Sequence, residues 1–138
     1  MQDLSLHILD IVENALSADA GKISVRITQD ISRDLLVLEI TDDGEGMDRE
    51  SARKALDPFY TSKLKKKVGL GIPLLAQAAR EAEGRLTIDS GPGSGTRIQA
   101  TFRLSHPDRK PLGDIEGTIR LLRITHPEIE LEYASIQE

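Results

Sequence analysis

Apolar residues recur at helical spacing over residues 4–18, where Leu4, Ile8, Ile11, Val12, Ala15 and Leu16 share one face. Asp3 stands where a helix cap is wanted, and Gly21 lies just past the far end. From 22 to 28 the period changes to two, with Ile23, Val25 and Ile27 on one side of an expected strand. Residues 35–41, LLVLEIT, form a nearly continuous apolar run, which predicts a central strand buried on both faces. DDGEGM at 42–47 is turn chemistry. A polar, lysine-rich stretch then runs from about 48 to 68, with a short helix early in it.

A second long helix is expected over 70–83, where Leu74, Leu75, Ala78, Ala79 and Ala82 repeat. Pro73 is tolerated there because it falls in the first turn, and Gly84 ends the helix. Two strands, 85–90 and 96–104, flank the turn Gly91-Pro92-Gly93-Ser94-Gly95. After a connection at 105–113, a helix over roughly 114–124 and a short strand at 129–133 complete the pattern. This order predicts an α/β (α+β) two-layer sandwich with a mixed sheet. There is no internal repeat.

Composition narrows the class. At 138 residues the chain suits one domain. Hydrophobic residues make up 38% and aromatics only 3%, so the core must be built from Ile, Leu, Val and Ala. With no cysteine, disulfides, thiolate metal sites and thiol nucleophiles are excluded. A formal net charge of -5 gives no broad basic surface for nucleic acid. No apolar run reaches membrane-span length, and the N-terminus lacks a signal-peptide pattern. The expectation is a soluble cytoplasmic protein without a nucleic-acid or membrane partner.

Four groups of residues carry candidate chemistry. On the first helix, Asp3, His7, Asp10, Asn14 and Ser17 form one polar stripe. A solvated face explains most such stripes. This one contains no Lys or Arg, and an Asn beside carboxylates supplies oxygen to a hard cation. Next, Asp42, Gly44 and Gly46 give D-x-G-x-G directly after the strongest strand. A plain turn accounts for many such patterns; the alternative is a fixed carboxylate with glycines that let backbone approach a flat ring. Third, Gly69-Leu70-Gly71 opens the second helix, where free N–H groups favour phosphate. It is neither a P-loop nor a dinucleotide fingerprint. Lys63, Lys65, Lys66 and Lys67 lie upstream, either as a solvated loop or as a cationic cover for polyphosphate. Last, Gly93-Ser94-Gly95-Thr96 is either a hairpin turn or a means of setting Thr96 beside Asp42 against a purine.

In order, these segments resemble the boxes of the ATPase superfamily shared by DNA gyrase B, the Hsp90 chaperones, histidine kinases and MutL. HILDIVENALSADA looks like its N box, DDGEGM its first glycine box, DPFYTSK the F box of sensor kinases, GLGIPLL the second glycine box and GSGT the third. The resemblance implies a Bergerat-type fold, its sheet covered on one face by helices, over residues 1–104. It leaves 105–138 as a helix–strand extension packed on the same domain, either covering a sheet edge or docking a partner.

The resemblance also implies roles, with ATP and Mg2+ as cofactors. Asn14 matches the magnesium ligand and Asp42 the residue that bonds the adenine amino group. Gly44, Gly46 and Met47 fall beside adenine, Gly69, Leu70 and Gly71 beside phosphate, and Thr96 matches the third-box threonine. The stretch from about 47 to 68 matches the ATP lid, with Lys63 a phosphate contact and Asp57-Pro58-Phe59 its anchor.

Asp10 stands where hydrolysing relatives carry the Glu that activates water; Asp is one methylene shorter. Glu13 is an alternative acid off the matched position. His7 is expected to hydrogen-bond Asp10. Since almost nothing precedes the N box, no helix with a phospho-accepting His is expected. These features favour a stand-alone kinase module that passes phosphoryl from ATP to a partner protein. A non-catalytic ATP sensor and a slow ATPase coupled to a partner are the alternatives.

Overall fold

The computed structural model describes residues 3–57 and 71–138. Its elements run α1 (Leu4–Ser17), β1 (Lys22–Asp30), β2 (Leu35–Asp42), α2 (Arg49–Lys54), α3 (Gly71–Glu81), β3 (Leu86–Ser90), β4 (Thr96–Arg103), α4 (Ile115–Thr125) and β5 (Glu130–Gln137). The strands form one mixed sheet in the order β3-β4-β2-β1-β5. Among these strands β1 and β5 pair in parallel, and the other neighbours are antiparallel.

The helices pack on one face of this sheet. Ile8, Ile11 and Val12 of α1 and Leu75, Ala78 and Ala79 of α3 meet Val25, Leu38, Ile40, Ile98 and Phe102 in a single core. Each fully buried large side chain contributes about 1.5–3 kcal/mol of transfer free energy. Phe102 is completely buried and fills space that the aliphatic residues leave. Among the described residues no helix is long and apolar enough to cross a membrane.

Three expectations are corrected. β2 is central, but only Leu36, Leu38 and Ile40 are buried, whereas Leu35, Val37 and Glu39 on its other face are half-exposed. That face carries the Arg97–Glu39 ion pair rather than a second helical layer. The apolar run therefore belongs to a half-open strand with hydrophobic residues on both sides. Gly21 does not end α1, because Ala18 caps it and Asp19 takes the left-handed conformation (φ 63°). Likewise Glu83 (φ 61°) turns the chain after α3, while a Cβ on Gly84 would strike the Thr101 carbonyl.

The tail is also more regular than a strand at 129–133 suggests. β5 runs over eight residues, and Ile23, Val25 and Ile27 of β1 lie beside Leu131, Tyr133 and Ser135. In α4, Ile119 and Leu122 are buried in the core. The Arg123 guanidinium donates to the Leu131 carbonyl at 2.9 Å, tying α4 to β5.

Candidate functional site

The sheet register assembles one half of the site. Asp42, the last residue of β2, pairs with Thr96, the first of β4, and Thr96 pairs with Ser90, the last of β3. Directly paired residues project from the same face, and Ile23, paired with Asp42 on the other side, is fully buried. Asp42, Thr96 and Ser90 thus form a row on the helix-bearing face. They border a cleft of about 230 Å³ at the strand ends that also takes in Thr41, Asp89 and Arg97 from the opposite face and Gly91, Ser94 and Gly95 of the turn.

Asp42 and Asp43 have different tasks. The half-buried Asp42 accepts the Gly44 N–H at 2.8 Å on Oδ1. Burial pushes its carboxyl above the ordinary range, with the Gly44 hydrogen bond pulling the other way. Asp43 instead accepts from Gly21 N–H at 2.8 Å and Lys22 N–H at 2.9 Å. Those two bonds lower its pKa and fasten the loop to the start of β1. The D-x-G-x-G spacing singles out Asp42 in the sequence; the fastening role of Asp43 carries no such local signal.

The glycines permit close approach, and the partner the structure shows is their own chain. Gly46 (φ 74°) turns beneath the third glycine segment, where a Cβ would overlap the Gly91 carbonyl. Gly95 (φ 77°) leaves no space for a Cβ because the Asp42 carbonyl fills it. A Cβ on Gly44 would come within 2.7 Å of the Ala18 carbonyl. That carbonyl accepts the Glu45 N–H at 2.9 Å, joining the loop to the end of α1.

Ser90 is the residue that sequence reasoning missed. Its hydroxyl accepts the Met47 N–H at 2.8 Å, donates to the Gly95 carbonyl at 2.9 Å and lies 2.9 Å from the Thr96 hydroxyl. The first and third glycine segments are joined through this one side chain. A serine at a strand end before Gly-Pro-Gly looks like ordinary turn composition, so no local signal marks it.

The other half of the site lies on α1. Asp10 is exposed and Asn14, one turn on, is partly buried. A Cβ on Gly71 would come within 2.8 Å of the Asp10 Cβ, so the described start of α3 rests directly on Asp10. The structure thus brings together Asp10 and Gly71, and separately Asp42, Gly44, Gly46, Met47 and Thr96. α1 links the two groups. Lys63, Gly69 and Leu70 lie outside the described residues, as do Pro58 and Phe59 of the expected lid anchor. The early helix of that segment is present as α2, capped by Asp48. Glu13 sits 3.7 Å from His126 at the end of α4.

His7 corrects an expectation. It is only 2% exposed, and neither ring nitrogen has a hydrogen-bond partner among the described residues, Asp10 included. Burial lowers its pKa below the ordinary 6.5; Asp10 opposes this, Lys110 adds to it and Asp3 opposes it. With the folded value depressed, the unfolded chain binds the proton more readily. Stability therefore falls as pH drops through 6.5, and the fall ends below the folded value. The slope from this residue is at most about 1.4 kcal/mol per pH unit. Denaturant midpoints of wild type should decline between pH 7.5 and pH 5.5 more steeply than those of His7→Leu, about two pH units spanning the histidine range. Equal slopes would show that His7 is not buried in its neutral form.

Known proteins similar to this chain give its family and its fold. Residues 2–106 fit the family model described as histidine kinase-, DNA gyrase B-, and HSP90-like ATPase. Sporulation kinase C of Bacillus subtilis is 30% identical over 70% of this chain and 22% of its own length. The DNA mismatch repair protein MutL of Anaeromyxobacter dehalogenans is 36% identical over 67% of this chain and 16% of its own. A putative sensor protein of Shewanella frigidimarina is 27% identical, with 78% and 17% covered. The chain therefore spans less than a quarter of the length of each of these relatives. Among solved structures, the histidine kinase domain of a blue-light activated kinase from Erythrobacter litoralis shares the fold. Its TM-score is 0.55 at 21% identity, over 75% of this chain and 44% of that one. With the family model covering the chain from α1 through β4, this protein belongs to the histidine kinase-, DNA gyrase B- and HSP90-like ATPase family.

Proposed function

We propose that this chain binds magnesium–ATP between α1 and the ends of β2–β4 and passes the γ-phosphoryl group to a partner protein. The observation that carries the nucleotide assignment is the half-buried Asp42 carboxylate, held by Gly44 and set beside Thr96. Asp42 accepts a hydrogen bond from the adenine amino group. Gly44, Gly46 and Met47 lie along the base. Gly69, Leu70, Gly71 and Lys63 are assigned to the phosphates.

Among the described residues no group of three or more His, Cys, Asp or Glu could hold a metal. The donor set on α1 suits a cation that takes few protein ligands and completes its shell with phosphates and water, as magnesium does. Asn14 would hold it, with Asp10 one turn away. When bound, the ion supplies charge neutralisation at the phosphates. Asp10, on the short side of the usual Glu, supports this shell better than it activates water. A carboxylate one methylene short of the attacking water suits transfer to an acceptor that brings its own nucleophile.

The test combines binding and transfer. ATP affinity should fall on chelation of magnesium, and Asn14→Ala should remove that dependence. A pull-down with labelled ATP and magnesium should place label on a retained protein. Asp10→Asn should leave hydrolysis by the isolated chain close to nil, as in wild type. Brisk partner-free turnover that disappears in Asp10→Asn would make the chain an ATPase. ATP-dependent complex formation without turnover or label would make it a sensor.

A further inference from the structure

We propose that Ser90 is a positioning residue that makes the base-binding end of the site a hydrogen-bond acceptor only, so that it selects a 6-amino purine over a 6-oxo purine. The inference rests on the assignment of Asp42 to the base.

Proton counting fixes the orientation of each hydroxyl. A serine hydroxyl has one proton and two lone pairs. The Gly95 oxygen, 2.9 Å from Ser90 Oγ, is a carbonyl and can only accept, so it takes the Ser90 proton. The Met47 N–H at 2.8 Å can only donate, so it takes one lone pair. What remains toward Thr96 Oγ1, at 2.9 Å, is the second lone pair. The Thr96 proton must therefore point at Ser90. Every hydrogen-bonding capacity of Ser90 is then filled.

This fixes what Thr96 can offer a ligand. Its only proton is used, so its oxygen presents lone pairs alone. Asp42, its register partner on the same face, is likewise an acceptor when ionised. Two neighbouring acceptors complement an amino group, which carries two N–H bonds. An oxo group at the same position would set its own lone pairs against both. Selection of this kind is strong because the disfavoured ligand leaves polar groups without partners. Backbone strengthens the arrangement: the hydroxyl that orients Thr96 is itself clamped between Met47 and Gly95, and Gly95 abuts the Asp42 carbonyl.

Removing Ser90 frees the threonine hydroxyl to rotate and donate. The experiment compares equilibrium affinities for ATP and for inosine triphosphate, which carries oxygen at position 6, by calorimetry. Wild type should prefer ATP. In Ser90→Ala the ATP-to-inosine triphosphate affinity ratio should fall roughly tenfold, the effect of one lost hydrogen-bond preference. Ser90→Thr keeps the hydroxyl and should retain the wild-type ratio. Should Ser90→Ala fail to fold, Thr96→Val removes the oriented oxygen at nearly constant shape and should lower the ratio too. An equal loss for both nucleotides in Ser90→Ala would assign Ser90 to loop structure only and overturn the proposal. Asp42→Asn separates the two levels. If it abolishes ATP binding while Ser90→Ala leaves the ratio unchanged, the base assignment stands and the role of Ser90 falls. If Asp42→Asn leaves ATP affinity intact, both fall.

Discussion

Asp42→Asn should lower ATP affinity roughly tenfold to more than a hundredfold while leaving the protein folded. The substitution keeps shape and removes charge. One side-chain oxygen can still accept the Gly44 N–H, so the local turn survives. The other group becomes an NH₂, which turns a donor toward the adenine amino donor. A hydrogen bond to a charged acceptor contributes about 1.5–3 kcal/mol, and an unpaired buried donor adds to that loss. Since Asp42 is half-buried and its carboxyl is already penalised by burial, water does little to relieve the mismatch. Calorimetry with magnesium–ATP on variant and wild type measures the difference. Unchanged affinity would remove Asp42 from the base-binding role.

A larger effect on stability is expected at Gly95. Gly93 and Gly95 both have positive φ, 75° and 77°, in the same turn. A methyl group added at Gly93 would meet nothing within 4 Å, whereas at Gly95 the Asp42 backbone carbonyl fills that space. Gly93→Ala should therefore show only the conformational penalty, about 1–2 kcal/mol. Gly95→Ala should show the same penalty plus displacement of the β2 end, for a total of roughly 3 kcal/mol or more. Nucleotide binding should weaken in step, because the displaced atom belongs to Asp42. Urea denaturation of the two variants isolates the steric part as their difference. Equal losses would mean that the β2–β4 turn yields freely.

Much of the architecture is legible in the sequence because its signals are local. Period 3.6 marks α1 and α3, period 2 marks β1 and β4, and the glycine segments fall in a recognisable order. Tertiary placement is harder to read. The apolar residues Leu35 and Val37 suggest burial on both faces of β2, yet they lie half-exposed beside charged neighbours. β5 has a weak signal because ELEYASIQ buries only Leu131 fully, and its pairing with β1 is a long-range fact that no window contains. In the site, Asp42 and Thr96 can be named from motif position. Ser90 cannot, since its importance arises from three contacts made across separate segments. His7 misleads for a related reason: helical spacing puts it near Asp10, but packing against α3 seals the ring away from any partner among the described residues.

The parallel β1–β5 pairing has a consequence for how the chain reaches this fold. Lys22 lies beside Glu130, so the outer neighbour of β1 is made by a strand far downstream in sequence. The β1–β2 hairpin closes locally and can form within about 1–10 μs once both strands exist. The β5 edge must wait for the connecting chain to be completed and bear the loop-closure entropy of a span of more than about a hundred residues, which grows only logarithmically with length. During synthesis, at about 5–20 residues per second, β1 therefore spends several seconds with its outer N–H and C=O groups unpaired. Arrival of β5 is the step that closes this side of the sheet, although its residues stand far in sequence from Asp42 and Thr96.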